Sequence, residues 1–374
     1  MRIKIKRFKI YKSEVIFVGA YICFFLALFL GDTAIEPNII QFIAKILRYV
    51  SYILALIQIL VHSASVKHFL LTTAIFSISM LFFIFTKDIY LPMLILLIAS
   101  SKDTSEAMVL NISLILLVVG TVLVILGCLV GLIPDVLTAK AFSDELARHS
   151  LGFYHSNVLP NNLVTIEIFL IWKHREKLSN FYIIMFFVLH LIVYVLSVSR
   201  MCLVIGIALT GILFFLKSNT SFRKNKKLFA LMAYCIAPVC SILSIALMFL
   251  VKNNMVAQKI DILFSCRFSI SYSKMCSVGL KIFNFNSNDV FYNDGLVLDN
   301  GYLFVLLRFG FIAVGALCVI GCILTRKYKM YIFKLICLFC VFSMAFIDNL
   351  FLSYRFLPFL ILAFVNKNQI SSNK

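Results

Sequence analysis

The sequence predicts an all-α polytopic membrane protein, a single domain over residues 1–374 with about twelve transmembrane helices and one large extracytoplasmic loop. Of its 374 residues, 62% are hydrophobic and 14% are charged, which leaves too few polar side chains to cover a water-soluble surface. The apolar residues form long runs, most of them near the length that crosses a bilayer. The basic residues lie mainly in alternate connections between these runs, as the positive-inside rule requires.

Each predicted span is one apolar run. The basic leader, residues 1–12, precedes the first span and places the amino terminus in the cytoplasm. The fourth run falls short of the ~17 residues that a full crossing needs. An even number of spans returns the carboxyl terminus to the cytoplasm as well. The runs cover residues 15–30, 39–61, 69–85, 89–99, 107–133, 158–172, 181–198, 201–216, 228–251, 302–324, 331–347 and 350–365.

The most basic connections all fall on the cytoplasmic side of this arrangement. They are residues 173–177, 217–227 and 326–329, and the middle one contains no acidic residue. The net charge of +19 therefore reflects membrane topology, and we expect no nucleic-acid partner.

The longest polar interval, residues 252–299, is predicted to be extracytoplasmic and is called the long loop below. A loop of this length is usually functional or disordered. It keeps aromatic residues such as Phe264 and Phe268 throughout, which favours a folded cap over the membrane domain. Cys266 and Cys276 share this loop and could form a disulfide, whereas the other cysteines lie in apolar runs as small hydrophobic side chains.

Polar residues from distant parts of the chain are predicted to meet at the outer face. Arginine suits a diphosphate there, because its guanidinium group binds phosphate oxygens in pairs. A neighbouring carboxylate, Asp299, could act as a general base. No cofactor motif and no metal-ligand cluster accompanies them, and the chemistry suggested is transfer from a lipid diphosphate. The residues are Arg148, His155, Asn157, Arg200, Arg267, Asp299 and Asn300.

Several of these polar residues also have simpler structural interpretations. Arg308 and Arg355 are expected to be interface anchors whose charged ends reach lipid headgroups. Tyr302, at a helix start, has the position of an aromatic-belt residue. Asp299 and Asn300 could cap the helix that follows them.

Ionisable residues inside the predicted spans favour a second class of function. His190 is expected to be a hydrogen-bonded core histidine, and Lys45 and Arg48 are expected to extend to the membrane surface. Glu167 is a carboxylate within a span and is the best single argument for a proton-coupled transporter.

Several short motifs, in order along the chain, resemble those of bacterial polysaccharide polymerases of the Wzy type, within the O-antigen polymerase and ligase superfamily. Ser156 stands where proline is usual, and Asn284 stands where a glycine is expected. Asp299 replaces the histidine of the related ligases, which favours a polymerase. The motifs are residues 45–52 (K-I-L-R-Y-V-S-Y), 152–157 (G-F-Y-H-S-N), 194–200 (Y-V-L-S-V-S-R) and 299–303 (D-N-G-Y-L), with Arg267 early in the long loop and Gly310 downstream.

The resemblance implies a glycosyltransferase of the GT-C kind in the bacterial cytoplasmic membrane. The donor would be the growing glycan on undecaprenyl diphosphate, and the acceptor would be a lipid-linked repeat unit. Asp299, Arg200 and Arg267 would be catalytic, without a metal ion or other cofactor. Expected partners are membrane lipid, a flippase and a chain-length regulator. The alternative functions for this chain itself are those of a flippase and of an O-antigen ligase. Substrate-binding residues would be Arg148, His155, Asn157, Asn300 and Tyr302.

Overall fold

The structure is a computed structural model. It describes residues 14–62, 70, 73, 74, 76, 77, 80, 81, 83, 84, 90–102, 104–140, 143–174, 177–219, 222–284, 291 and 297–365. The predicted leader and most of the third predicted span lie outside these residues.

The described chain is almost entirely helical. One short antiparallel hairpin, β1 (Thr138–Lys140) and β2 (Ser143–Arg148), interrupts the helices in a connection predicted to be irregular. The helices are α1 (Val15–Gly31), α2 (Pro37–His62), α3 (Tyr90–Ser100), α4 (Glu106–Leu129), α5 (Val158–His174), α6 (Asn180–Ser197), α7 (Arg200–Ser218), α8 (Lys226–Leu250), α9 (Met255–Leu263), α10 (Arg267–Val278), α11 (Gly301–Phe309), α12 (Phe311–Tyr328), α13 (Ile332–Ile347) and α14 (Leu357–Phe364), with one 3₁₀ turn at Phe222–Lys224.

Five of the described helices are long and apolar enough to cross a membrane, namely α2, α4, α6, α8 and α12. Shorter apolar helices, including α1, α3 and α13, lie beside them. The chain is therefore predominantly helical with several candidate membrane spans, as the sequence predicts. The number of spans stays a prediction.

Helix α2 illustrates how the sequence places apolar side chains on two faces. Ala44, Ser51 and Ala55 are buried, and the hydroxyl of Ser51 donates a 2.6 Å hydrogen bond to the Ala20 carbonyl of α1. The opposite face exposes large apolar side chains at helical spacing, such as Ile46. Such a surface is unfavourable in water but matches the hydrocarbon of a bilayer.

Contacts between distant connections define two ends of the helix bundle. Asp32, directly after α1, accepts a 2.7 Å hydrogen bond from Arg355, which precedes α14. The backbone N–H of His149, after β2, donates to the Leu196 carbonyl near the end of α6. We call this the Asp32 end. The connections that meet here are those predicted to share the outer side.

The opposite end is built around Glu106, the first residue of α4, and we call it the Glu106 end. Its carboxylate accepts hydrogen bonds from Trp172 Nε1 at 2.7 Å, from the Tyr328 hydroxyl at 3.1 Å and from Lys334 Nζ. These side chains come from α5, α12 and α13, so one buried carboxylate joins four helices. The connections that meet here are those predicted to share the inner side.

The predicted single span over residues 302–324 is wrong, because the structure has two helices there. Helix α11 ends and α12 begins at Gly310, whose φ of +93° is unfavourable for residues with a side chain. A Cβ atom at Gly310 would lie 2.4 Å from the carbonyl oxygen of Ile282. The long loop therefore packs directly against the break. Asn284, at the expected glycine position, donates a 2.7 Å hydrogen bond to the Leu307 carbonyl.

The described part of the long loop is folded and contains α9 and α10. The carboxylate of Asp261 accepts hydrogen bonds from the N–H groups of Phe268 and Ser269 and so caps α10. The Phe268 ring packs 5.7 Å from the ring of Phe346 in α13, which fixes the loop to the bundle.

The disulfide considered for this loop does not fit the fold. Cys266 directly precedes α10, and Cys276 lies near the other end of the same helix. A rise of ~1.5 Å per residue separates them by ~15 Å, whereas the Cα atoms of a disulfide lie within ~7 Å of each other. Both are free thiols.

Candidate functional site

The Asp32 end brings together polar residues from five distant parts of the chain. Arg148 is the last residue of β2, and His155 lies in the turn before α5. Arg200 and Arg267 are the first residues of α7 and α10, and Asp299 lies two residues before α11. Each residue therefore stands at an element boundary, where the backbone leaves the apolar bundle.

The three arginines form a cationic cluster. The pKa of the Arg148 guanidinium is lowered, first by burial and then by the positive charges of Arg200 and Arg267. Arg148 is partly buried and Arg200 is exposed. These neighbouring positive charges repel each other, so a ligand that carries several negative charges would stabilise the cluster.

Arg267 is the most buried member of the cluster. Its Nε atom lies 3.1 Å from Oδ2 of Asp299, and the two side chains are 9% and 36% exposed. Within the described residues, neither its Nε nor its Nη1 makes a hydrogen bond, and the same holds for Nε of Arg148. Buried guanidinium N–H groups without acceptors are costly. These donors are therefore suited to the oxygens of an anionic ligand such as a phosphate, which form strong, charge-assisted hydrogen bonds with guanidinium groups.

Asp299 has the electrostatic character of a proton acceptor. Burial raises its pKa above the usual range for aspartate, and the charge of Asp348 raises it further. The positive charges of Arg267 and His155 oppose this without cancelling it. A carboxylate with a raised pKa takes up a proton more readily near neutral pH.

The turn that carries His155 is held close to α4. A Cβ atom at Gly152, whose φ is +87°, would lie 2.9 Å from the Val124 carbonyl oxygen. The backbone N–H of Asn157 donates a 3.1 Å hydrogen bond to Nδ1 of His155, and both residues are partly exposed. His155 is a neighbour of Asp299, whose pKa it affects. Among the described residues, no side-chain contact joins Asn157 to the cluster.

Asn300 and Tyr302 both make buried contacts within the bundle. Asn300 caps α11, because its Oδ1 accepts a 2.9 Å hydrogen bond from the N–H of Leu303. Its Nδ2 donates to Ser244 and to the Phe346 carbonyl, so both N–H groups of the amide are used and the side chain is buried. The helix cap is therefore Asn300 and not Asp299. The Tyr302 side chain is also buried, at 1% exposure.

The Tyr302 hydroxyl donates a 3.0 Å hydrogen bond to the Phe342 carbonyl of α13. Because this ring lies inside the bundle, the aromatic-belt interpretation of Tyr302 is wrong. The interface interpretation of Arg308 is wrong for the same reason, since its side chain is 1% exposed and lies 5.0 Å from the Phe291 ring.

Arg355 is also buried, at 4% exposure, and its expected role as an interface anchor is wrong. Its Nε donates a 2.8 Å hydrogen bond to Asn162 Oδ1, and its Nη2 donates a 2.7 Å hydrogen bond to Asp32. Its Nη1 lies 3.9 Å from Oδ2 of Asp348. Asp348 in turn accepts a hydrogen bond from Asn161 Nδ2. This network borders the arginine cluster through Asp348 and Asp299, and no local feature of the sequence predicts it.

The two intramembrane candidates form a pair with each other. Nε2 of His190 lies 2.8 Å from Oε2 of Glu167, and both side chains are buried. The expectation that His190 is a hydrogen-bonded core histidine is confirmed. A Cβ atom at Gly206 would lie 2.5 Å from the His190 ring, so this glycine makes room for the pair.

Comparisons with known proteins leave the resemblance noted above resting on the motifs alone. No family model, no curated protein and no solved structure matches the chain. The candidate site is therefore defined by its geometry: three arginines, one carboxylate and one histidine at the Asp32 end of a helical membrane protein.

Proposed function

We propose that this protein is a polysaccharide polymerase, a glycosyltransferase that joins lipid-linked oligosaccharide repeat units at the outer face of the bacterial cytoplasmic membrane. One observation carries the proposal. The guanidinium group of Arg267 is buried, its Nη1 donates to no described residue, and its Nε lies 3.1 Å from Asp299, a carboxylate of raised pKa. A diphosphate and a hydroxyl group are the two ligands that these groups suit best.

The distribution of charge supports the outward orientation of the site. The Glu106 end carries the basic connections, including exposed Lys177 and Lys226. Cytoplasmic loops are enriched in lysine and arginine. The Asp32 end then faces outwards, with twelve spans and both termini in the cytoplasm.

The arginines would hold the diphosphate of the donor, undecaprenyl diphosphate carrying the growing glycan. As the bond from the anomeric carbon to the phosphate oxygen breaks, the diphosphate takes the electron pair and gains negative charge. Fixed cations therefore stabilise the transition state more than the ground state. Arg267 and Arg148 offer buried donors for this purpose, and Arg200 lies where the diphosphate would enter.

Asp299 would act on the acceptor, whose hydroxyl oxygen attacks the anomeric carbon. The hydroxyl proton passes to the Asp299 carboxylate and then to solvent, while undecaprenyl diphosphate departs. Arg267 contacts Asp299 through Nε and keeps Nη1 available. It can thus bind the leaving group and orient the base at once. No metal ion is needed if the arginines neutralise the leaving group.

In this pathway a flippase supplies the lipid-linked units, and a chain-length regulator limits the polymer. A flippase is the second candidate function for this chain, and the buried Glu167–His190 pair favours it because intramembrane carboxylates serve proton coupling. An O-antigen ligase is a third candidate.

A deletion strain distinguishes these functions. A polymerase predicts that single lipid-linked repeat units accumulate on the outer leaflet while the surface polysaccharide shortens to single units on a sizing gel. Accumulation on the inner leaflet would instead indicate a flippase. Full-length polymer that stays on the lipid carrier would indicate a ligase.

A further inference from the structure

Asp348 borders the candidate site but has no part in the transfer chemistry described above. It lies directly after α13, where Oδ1 accepts a 2.9 Å hydrogen bond from the N–H of Asn349 and Oδ2 accepts one from Asn161 Nδ2. Its side chain is 21% exposed. Each carboxylate oxygen keeps a second lone pair, and the group is open to a ligand at the Asp32 end.

Arg355 does not fully neutralise Asp348. The guanidinium group donates to Asp32 at 2.7 Å and to Asn162 at 2.8 Å. Its distance to Asp348 is 3.9 Å, beyond a direct hydrogen bond. Asp32 is therefore the direct counter-ion of Arg355, and no described guanidinium lies within hydrogen-bond distance of the Asp348 carboxylate.

The charged groups of the site differ in how completely they are paired. Arg267 is paired with Asp299, whereas no described carboxylate forms an ion pair with Arg148 or Arg200. Among the described ion pairs, Arg148 and Arg200 thus have no carboxylate partner, and Asp348 has only the longer contact with Arg355. Asn161 links Asp348 to Cys202 of α7, two residues after Arg200. The charge of Asp348 also raises the pKa of Asp299, so Asp348 lies beside the site.

We propose that Asp348 binds a hydroxyl group of the acceptor sugar and orients that sugar toward Asp299. The inference rests on the proposed function and adds a specificity residue to it. A carboxylate repels the donor diphosphate but accepts strong, charge-assisted hydrogen bonds from sugar hydroxyl groups. The arginine cluster would select the donor, and Asp348 would select the acceptor.

A free oligosaccharide acceptor isolates this step, because it lacks the diphosphate that the arginines bind. The purified protein in nanodiscs would receive lipid-linked repeat units from the host at saturating concentration. The repeat-unit oligosaccharide released from the lipid would be the varied acceptor. Binding of undecaprenyl diphosphate alone would be measured in parallel. Asp348→Asn keeps the shape of the side chain, and Glu36→Gln removes an exposed carboxylate beyond α1 as the matched control.

Asp348→Asn is expected to raise KM for the free acceptor by about tenfold to a hundredfold, the loss expected for one charged hydrogen bond. Binding of undecaprenyl diphosphate should stay within about twofold of wild type, and Glu36→Gln should change neither quantity. An unchanged acceptor KM in Asp348→Asn would overturn the inference and leave the proposed function standing. Loss of undecaprenyl diphosphate binding in Asp348→Asn would make Asp348 structural and would also overturn it. A wild-type protein that neither binds undecaprenyl diphosphate nor extends the acceptor would overturn both proposals.

Discussion

The Nε atom of Arg267 lies 3.1 Å from Oδ2 of Asp299, which joins the most buried cation of the site to its candidate base. The two residues come from opposite ends of the long loop, one at the start of α10 and the other just before α11. The pair therefore joins the start of α10 to the residues that precede α11.

Asp299→Asn is predicted to lower the rate of polymerisation by ~10²–10⁴, the usual contribution of a positioned base. The amide keeps the shape of the side chain but cannot take up the acceptor proton. Protein level and membrane insertion should be normal, because Asn300 and not Asp299 caps α11. Polymer length on a sizing gel, beside an immunoblot of the membrane fraction, measures both.

The matched contrast is Asn300→Ala, which removes the cap and the hydrogen bonds to Ser244 and Phe346. It should lower the free energy of unfolding by ~0.5–2 kcal/mol or more and reduce protein level. Polymer of wild-type length from the Asp299→Asn strain would remove Asp299 from the mechanism.

Much of the architecture follows from local signals in the sequence. An apolar run or a cluster of lysines is recognised within a few residues, and these signals predicted the apolar helices and which connections meet at each end of the bundle. Arg148, Arg200, Arg267 and Asp299 were predicted to meet because each lies in a connection assigned to the outer side. The structure places them together at the Asp32 end.

The missed features all depend on contacts between distant segments. Arg355 and Asp32 are 323 residues apart in the chain, so nothing local distinguishes this buried ion pair from an interface anchor. The break in the predicted span at Gly310 depends on a carbonyl oxygen of the long loop. Tyr302 has the sequence position of an aromatic-belt residue, but its hydroxyl donates to a carbonyl of α13 and the side chain is buried.

Gly310→Ala is predicted to destabilise the junction between α11, α12 and the long loop. The new Cβ atom would lie 2.4 Å from a backbone oxygen, at a φ of +93°. The backbone conformation alone, in a region that is essentially restricted to glycine, costs ~1–3 kcal/mol, and relief of the clash must shift the loop. Gly315→Ala is the control, because nothing lies within 4 Å of its Cβ position in α12. That substitution should be neutral or stabilising by up to ~1 kcal/mol.

Thermal unfolding of the two purified variants in detergent tests this expectation. Equal midpoints for Gly310→Ala and Gly315→Ala would contradict the close packing of the loop on the helix break.

The hydrogen bonds that Asp135 accepts predict that the base of the β1–β2 hairpin, beside Arg148, becomes less stable in acid. Burial alone would raise the pKa of Asp135, but hydrogen bonds from His149, Leu151 and Ser150 outweigh it and lower the pKa. A carboxylate with a lowered pKa stabilises the fold above its unfolded-state pKa and loses that contribution as the pH falls through its folded-state pKa. The stabilisation should therefore be complete at neutral pH and fade in acid below pH ~4.

Asp135→Asn should accordingly lower the stability of the protein at pH 7 and have little effect at pH 3. Proteolysis of the 138–148 hairpin in nanodiscs at the two pH values measures the difference. The same loss of protection at both pH values would show that the ionised carboxylate is not the stabilising form.

Membrane orientation can be tested by cysteine labelling on a cysteine-free background. Asn225 and Asn253 are both exposed and lie at opposite ends of α8. The positive-inside rule places Asn225 in the cytoplasm and Asn253 outside. An impermeant maleimide should therefore label Asn253→Cys in intact cells and label Asn225→Cys only after lysis. The reverse pattern would put the candidate site on the cytoplasmic side.

Arg200→Lys and Arg267→Lys examine the diphosphate site directly. Lysine keeps the positive charge but cannot make the paired hydrogen bonds of a guanidinium group. Loss of one such donor typically costs ~2.7–4 kcal/mol, or a factor of roughly 10²–10³ in rate. Both variants should insert normally and leave single lipid-linked units unused. Arg223→Lys, at the Glu106 end, is the matched control and should retain full activity.

The most direct measurement uses the purified protein reconstituted in liposomes with lipid-linked repeat units. It follows polymer length and the release of undecaprenyl diphosphate in one reaction. The account predicts that the wild-type protein forms polymer and releases one undecaprenyl diphosphate for each bond formed, and that Arg267→Lys loses both activities together. Wild-type protein that forms no polymer, or Arg267→Lys protein that forms full-length polymer, would contradict it.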